Sequence, residues 1–95
     1  MNDLLCFVGG GLETVSAMGK AKSLGYNVCV TDIDENSAGI RWAKKYGKRW
    51  GIASTYDARA TWKVVEPWKI DSVVAVACDV GTTVSYVARQ AGCSH

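Results

Sequence analysis

The chain has 95 residues, 48% of them hydrophobic, with 11 basic and 9 acidic side chains and a formal net charge of +2. That length makes one domain near the lower end of what buries a useful core, and the composition excludes disorder. The two signs of charge are mixed along the chain, so no field for steering nucleic acid or anionic lipid is expected. No apolar run approaches the roughly 20 residues of a membrane span. The N-terminus also lacks a basic stretch followed by a signal-type apolar segment. A cytoplasmic protein with neither nucleic-acid nor membrane partners is expected.

Leu4-Leu5-Cys6-Phe7-Val8 opens the chain as a continuous apolar run, the pattern of a parallel strand covered on both faces. Gly9-Gly10-Gly11 follows, then Thr14, Ala17, Met18, Ala21 and Leu24 recur at helical spacing before Gly25 stops the helix. Val28-Cys29-Val30 reads as a second strand ending at Asp32-Ile33-Asp34, and Ile40 to Tyr46 as a short helix ended by Gly47. Lys48-Arg49-Trp50-Gly51-Ile52 is a weaker third strand whose charges suit a sheet edge. Asp57 is placed to cap a helix carrying Ala58, Thr61, Trp62 and Val65 on one face, with Pro67 as its stop. Val73-Val74-Ala75-Val76-Ala77 is the fourth strand. From about Thr82 a last helix puts Val84, Val87, Ala88 and Ala91 on one face and ends at Gly92. Right-handed crossovers with a return after the third strand predict a four-stranded parallel sheet of order 3-2-1-4 with helices on both faces. Ligands of such a sheet sit at the C-terminal ends of the first and fourth strands.

The glycine turn meets part of a dinucleotide fingerprint. G-x-G-x-x-G followed about 20 positions on by an acidic residue holds a pyrophosphate and a ribose. Gly9, Gly11 and Asp32 fit, but Thr14 stands where the third glycine would let helix and strand approach. Glu13 also puts a carboxylate in the first helical turn. Like charges ~4 Å apart repel by about 4 kcal/mol at an effective dielectric of about 20. Glu13 suits the helix dipole, or a substrate amine or hydroxyl, while the glycine amides suit a carboxylate or phosphate. Gly19-Lys20 lacks the earlier glycine of a mononucleotide loop and lies within a helix. The single histidine is His95, so no nucleophile and base are paired. Asp79, just past the fourth strand, is both a candidate ligand of the crevice and a candidate cap for the last helix.

Cys6, Cys29 and Cys78 sit in or at the end of apolar runs with no C-x-x-C pair, which predicts buried reduced thiols; Cys93 and His95 are too few for a metal site. Trp42, Trp62 and Trp68 lie among charged neighbours, where each ring either packs under its helix or marks a covered surface.

The ordered string of Phe7-Val8-Gly9-Gly10-Gly11 with Glu13, Ala21 to Val28, Thr31-Asp32 ahead of Ser37-Ala38-Gly39, Ser54 to Asp57, Lys69 to Val73, Cys78-Asp79-Val80-Gly81 and Val84 to Ala88 spans nearly the whole chain. It resembles the Rossmann-like domain that precedes the ATP-grasp fold in carboxylate ligases such as carbamoyl phosphate synthetase large subunits, biotin carboxylase and the purine-pathway glycinamide ribonucleotide enzymes. The resemblance implies a single domain over residues 1–95, part of a longer ATP-grasp protein and not catalytic alone. It also implies that Gly9, Gly10, Gly11, Glu13, Asp32 and Asp79 meet a small carboxylate- or phosphate-bearing substrate. No cofactor belongs to this chain; ATP and magnesium are expected in the separate ATP-grasp module. Lys44 and Gly81 depart from the relatives, so the resemblance names no substrate. The alternatives are an NAD(P)- or nucleotide-binding regulatory module and a free-standing interaction domain. Two open sheet edges predict a homo-oligomer.

Overall fold

The computed structural model of the chain describes residues 3–76 and 80–93. In chain order it contains β1 (Leu4–Val8), α1 (Leu12–Ser23), β2 (Asn27–Asp32), α2 (Ala38–Lys45), β3 (Arg49–Ile52), α3 (Ala58–Val65), a 3-10 turn (Glu66–Trp68), β4 (Ser72–Val74) and α4 (Gly81–Ala91). The four strands are all parallel in the order β3-β2-β1-β4. This is the Rossmann-like sheet that the apolar runs and crossovers predict.

Side chains along the central strands alternate between two apolar layers, which explains why β1 and β2 read as continuous rather than alternating runs. Phe7, Val28 and Val30 pack with Met18 and Ala21 of α1 and with Ile40 and Ala43 of α2. Cys6, Val8 and Cys29 face the other way, against Val65 of α3 and Val87 and Ala88 of α4. Met18 and Ile40 are fully buried, and each such side chain contributes about 1.5–3 kcal/mol. Trp42 and Trp50 pack at the margin of the first layer and Trp62 and Trp68 at that of the second. The tryptophans thus extend the core.

Local signals set most element ends. Gly25 at φ 94 closes α1, with its amide donating to Lys22 O and that of Tyr26 to Ala21 O. The Asp57 carboxylate accepts from Ala60 N at 3.0 Å and caps α3 as predicted. α3 ends at Val65, and the 3-10 turn that follows absorbs Pro67. Gly92, at φ 76, terminates α4. α2 starts ahead of the predicted Ile40 because the Ser37 hydroxyl accepts from Ile40 N. A Cβ on Gly51 would overlap the Val64 side chain, so this glycine admits α3 against the edge strand.

Cys6 and Cys29 are buried free thiols, as predicted, and oppose each other across β1 and β2. A hydrogen bond with Cys6, reinforced by burial, pushes the Cys29 thiol well above its ordinary value. Cys78 lies outside the described residues. Among the described residues no helix is long and apolar enough to cross a membrane.

Candidate functional site

β1 delivers the chain into a loop that the fold holds at successive points. Gly9, at φ 96, donates its amide to Thr31 O at 2.8 Å. Gly10 then donates to Asp32 Oδ2 at 2.6 Å, and its carbonyl accepts from Gly39 N at 2.7 Å. The second Asp32 oxygen accepts from Asp34 N at 3.0 Å, while Asp34 Oδ1 accepts from Asn36 N at 2.8 Å. These short turns carry the chain to Ser37, the cap of α2. Gly10 and Gly39 touch backbone to backbone: a Cβ built on Gly39 would lie 2.7 Å from Gly10 Cα. The β1–α1 loop and the start of α2 are therefore one packed unit.

α1 begins after Gly11, which supplies no side-chain cap. The amides of its first turn have no intrahelical acceptor and carry the positive end of the helix dipole. Glu13 is exposed beside them, with Oε2 3.5 Å from the position a Cβ on Gly11 would take. A pyrophosphate approaching these amides meets that carboxylate, with Asp32 behind it on Gly10. Thr14 is 1% exposed, so the position that a dinucleotide site gives to glycine is filled by a packed side chain. Its hydroxyl, like that of the fully buried Thr31, has no partner among the described residues.

A second cleft, of about 480 Å³, opens at the same edge of the sheet between the β3–α3 loop and the start of α4. Tyr56, Val80, Gly81, Thr82 and Thr83 line it. Thr83 Oγ1 donates to Thr55 O at 2.6 Å and ties its two walls together. Among the described residues, no group of three or more His, Cys, Asp and Glu side chains is placed to hold a metal ion.

Of the residues singled out in the sequence, Gly9, Gly10, Gly11, Glu13 and Asp32 converge on this one loop. Asp79 lies outside the described residues. Sequence patterns did not single out Gly39 as the partner of Gly10, nor Tyr56 and Thr82 as cleft residues. Gly39 sits inside a helix where glycine is unfavourable, and that is the signal that marks it.

No protein-family model and no curated protein sequence matches the chain. Solved structures do. Phosphoribosylglycinamide synthetase from Anaerococcus prevotii superimposes with a TM-score of 0.77 at 14% identity, covering 97% of this chain and 23% of that one. Saccharopine dehydrogenase (L-Glu forming) from Saccharomyces cerevisiae gives 0.73 at 18% identity, over 97% of this chain and 20% of its own length. UDP-glucose 4-epimerase from Thermotoga maritima gives 0.73 at 12%, over 95% and 35%. The chain thus spans about a fifth to a third of the proteins it resembles. A synthetase, a dehydrogenase and an epimerase share one architecture, and what they establish together is a Rossmann-like α/β fold.

Proposed function

We propose that the chain is the substrate-side domain of an ATP-dependent carboxylate ligase of the ATP-grasp type, without catalysis of its own. The observation that carries this reading is the bond from Gly10 N to Asp32 Oδ2, backed by Gly39. In a dinucleotide site the second glycine lets the pyrophosphate approach and the acidic residue holds the ribose. Here the second glycine is Gly11, and the acidic residue Asp32 is already engaged by Gly10 N and Asp34 N, while the Glu13 carboxylate stands 3.5 Å from where a Cβ on Gly11 would lie. The likeness to a synthetase supports the same reading. The amides of Gly11, Leu12 and Glu13 would receive a carboxylate or phosphate of the substrate once the Glu13 carboxylate turns aside to an amine or hydroxyl of the same substrate. Gly9, Gly10 and Asp32 form the wall that fixes those amides. ATP and magnesium belong to a separate ATP-grasp module of a longer cytoplasmic protein.

A nucleotide-binding module is the second reading, favoured by the likeness to a dehydrogenase and an epimerase. Separate calorimetric titrations with NADH and ATP distinguish the two. Neither should bind this chain at micromolar concentration, and micromolar NADH binding would overturn the ligase reading. Sequencing the gene past the codon for His95 should reveal an ATP-grasp module; an open frame without one would also overturn it.

A further inference from the structure

The end of the molecule opposite the glycine loop gathers apolar and cationic side chains that lie apart in the sequence. Leu24 is 64% exposed where α1 ends, Tyr26 41% just beyond it, and Tyr46 46% where α2 ends. The Lys22 ammonium lies 5.4 Å from the Tyr46 ring centroid and that of Lys45 5.5 Å from it, so the two helix ends meet at this ring. Beside them Lys48 and Arg49, with Leu4, Asn27, Val28 and Gly47, line a cleft of about 300 Å³. Among the described residues Lys22, Lys45, Lys48 and Arg49 form no ion pair. The acidic residues of the α1–β3 stretch, Glu13, Asp32, Asp34 and Glu35, sit at or just beyond the opposite, glycine-loop end of the sheet. Glu35 reaches back to pair with Lys44 at 3.0 Å, which leaves Lys22, Lys45, Lys48 and Arg49 as the cations of this end without a carboxylate partner among the described residues.

We propose that this end is a docking surface for a protein segment that presents acidic side chains around an apolar anchor. An exposed Leu and Tyr centre with a basic rim has the make-up of a protein interface, and unpaired cations at the rim call for carboxylates. Single-stranded nucleic acid fits less well, because it needs free aromatic faces for base stacking. Here Lys22 and Lys45 lie over Tyr46, and Lys44 lies 4.5 Å from the Trp50 ring centroid. The surface is separate from the glycine loop, so it stands or falls independently of the ligase reading.

The test is an NMR titration of the 15N-labelled chain with a synthetic amphipathic Glu/Leu peptide and, in a parallel arm, with oligothymidylate. The peptide should shift the amides of residues 22–27 and 45–49, bind more tightly than the oligonucleotide, and weaken as salt is raised. The exposed pair Lys22→Glu with Lys45→Glu should weaken it about tenfold. Arg59→Glu, an exposed charge reversal on α3 in the opposite layer, should leave it unchanged. Absence of peptide binding, shifts confined to the glycine loop, an equal loss with Arg59→Glu, or tighter binding of oligothymidylate would each overturn the proposal.

Discussion

Replacing Gly39 by Ala tests the packed unit around the glycine loop. The new methyl would sit 2.7 Å from Gly10 Cα, 3.1 Å from Gly10 O and 3.2 Å from Gly10 C. All three are backbone atoms, so no rotamer change relieves the overlap. Either the start of α2 moves away or the bond from Gly39 N to Gly10 O, 2.7 Å long, is lost. Overpacking of this kind costs about 1–3 kcal/mol, and a lost hydrogen bond about 1 kcal/mol more. The better helix propensity of Ala returns at most about 1 kcal/mol. A net loss of about 1–3 kcal/mol lowers Tm by ~5–20 °C in a domain of this size. Gly19 provides the matched control, because it lies inside α1 and a Cβ there meets nothing within 4 Å. Gly19→Ala should therefore raise Tm. Thermal unfolding followed by circular dichroism reads both. A Gly39→Ala protein as stable as the parent would refute the backbone contact and the fixed loop that depends on it.

Two further predictions concern buried polar groups. Thr14 carries a buried hydroxyl without a partner among the described residues, whereas Thr61 Oγ1 is bonded to Ser54 O at 3.2 Å and Asp57 O at 3.0 Å. Thr14→Val should leave stability unchanged or raise it by about 1 kcal/mol, and Thr61→Val should lower it by about 1–2 kcal/mol; the same loss in both on urea unfolding would contradict this. The hydrogen bond with Cys6, then burial, hold the Cys29 thiol above its ordinary value. The native chain thus keeps a proton that the unfolded chain releases above about pH 8.5. Stability from this group is full below that pH and falls above it by at most about 1.4 kcal/mol per pH unit. Denaturant midpoints measured between pH 8 and 10 should fall less steeply for Cys29→Ala than for the parent. Identical slopes would exclude the thiol as a cause.

The strand order and the two central strands were legible in the sequence because parallel strands buried on both faces are apolar at every position, as Leu4 to Val8 are, whereas the apolar run Val73 to Ala77 overstated β4, which spans only Ser72–Val74. Helix ends were legible wherever a short-range device made them, as at Gly25, Asp57 and Gly92. Boundaries slipped where the deciding residue was polar and unremarkable, as with Ser37 ahead of α2. The glycine loop itself was conspicuous, and Glu13 and Thr14 already argued against a pyrophosphate there. What stayed hidden was Gly10 against Gly39, because no local pattern records which backbone a glycine will touch. Charge behaved in the same way. Mixed order along the chain concealed a cluster of cations, Lys22, Lys45, Lys48 and Arg49, at one end of the α1–α2 layer, while Lys44 beside them pairs with Glu35 at 3.0 Å.

The bond from Gly10 to Asp32 also means that the loop already has an anion of its own. A carboxylate fixed on β2 competes at this amide as an intramolecular ligand, with an effective concentration of at least the ~mM order that even flexible tethers give. A free anion with no more intrinsic affinity for this amide than the tethered carboxylate displaces it only above that concentration. Selection among incoming ligands therefore passes to the amides of α1's first turn, and the Asp32 side chain works as a built-in competitor that keeps weak anions off the Gly10 amide.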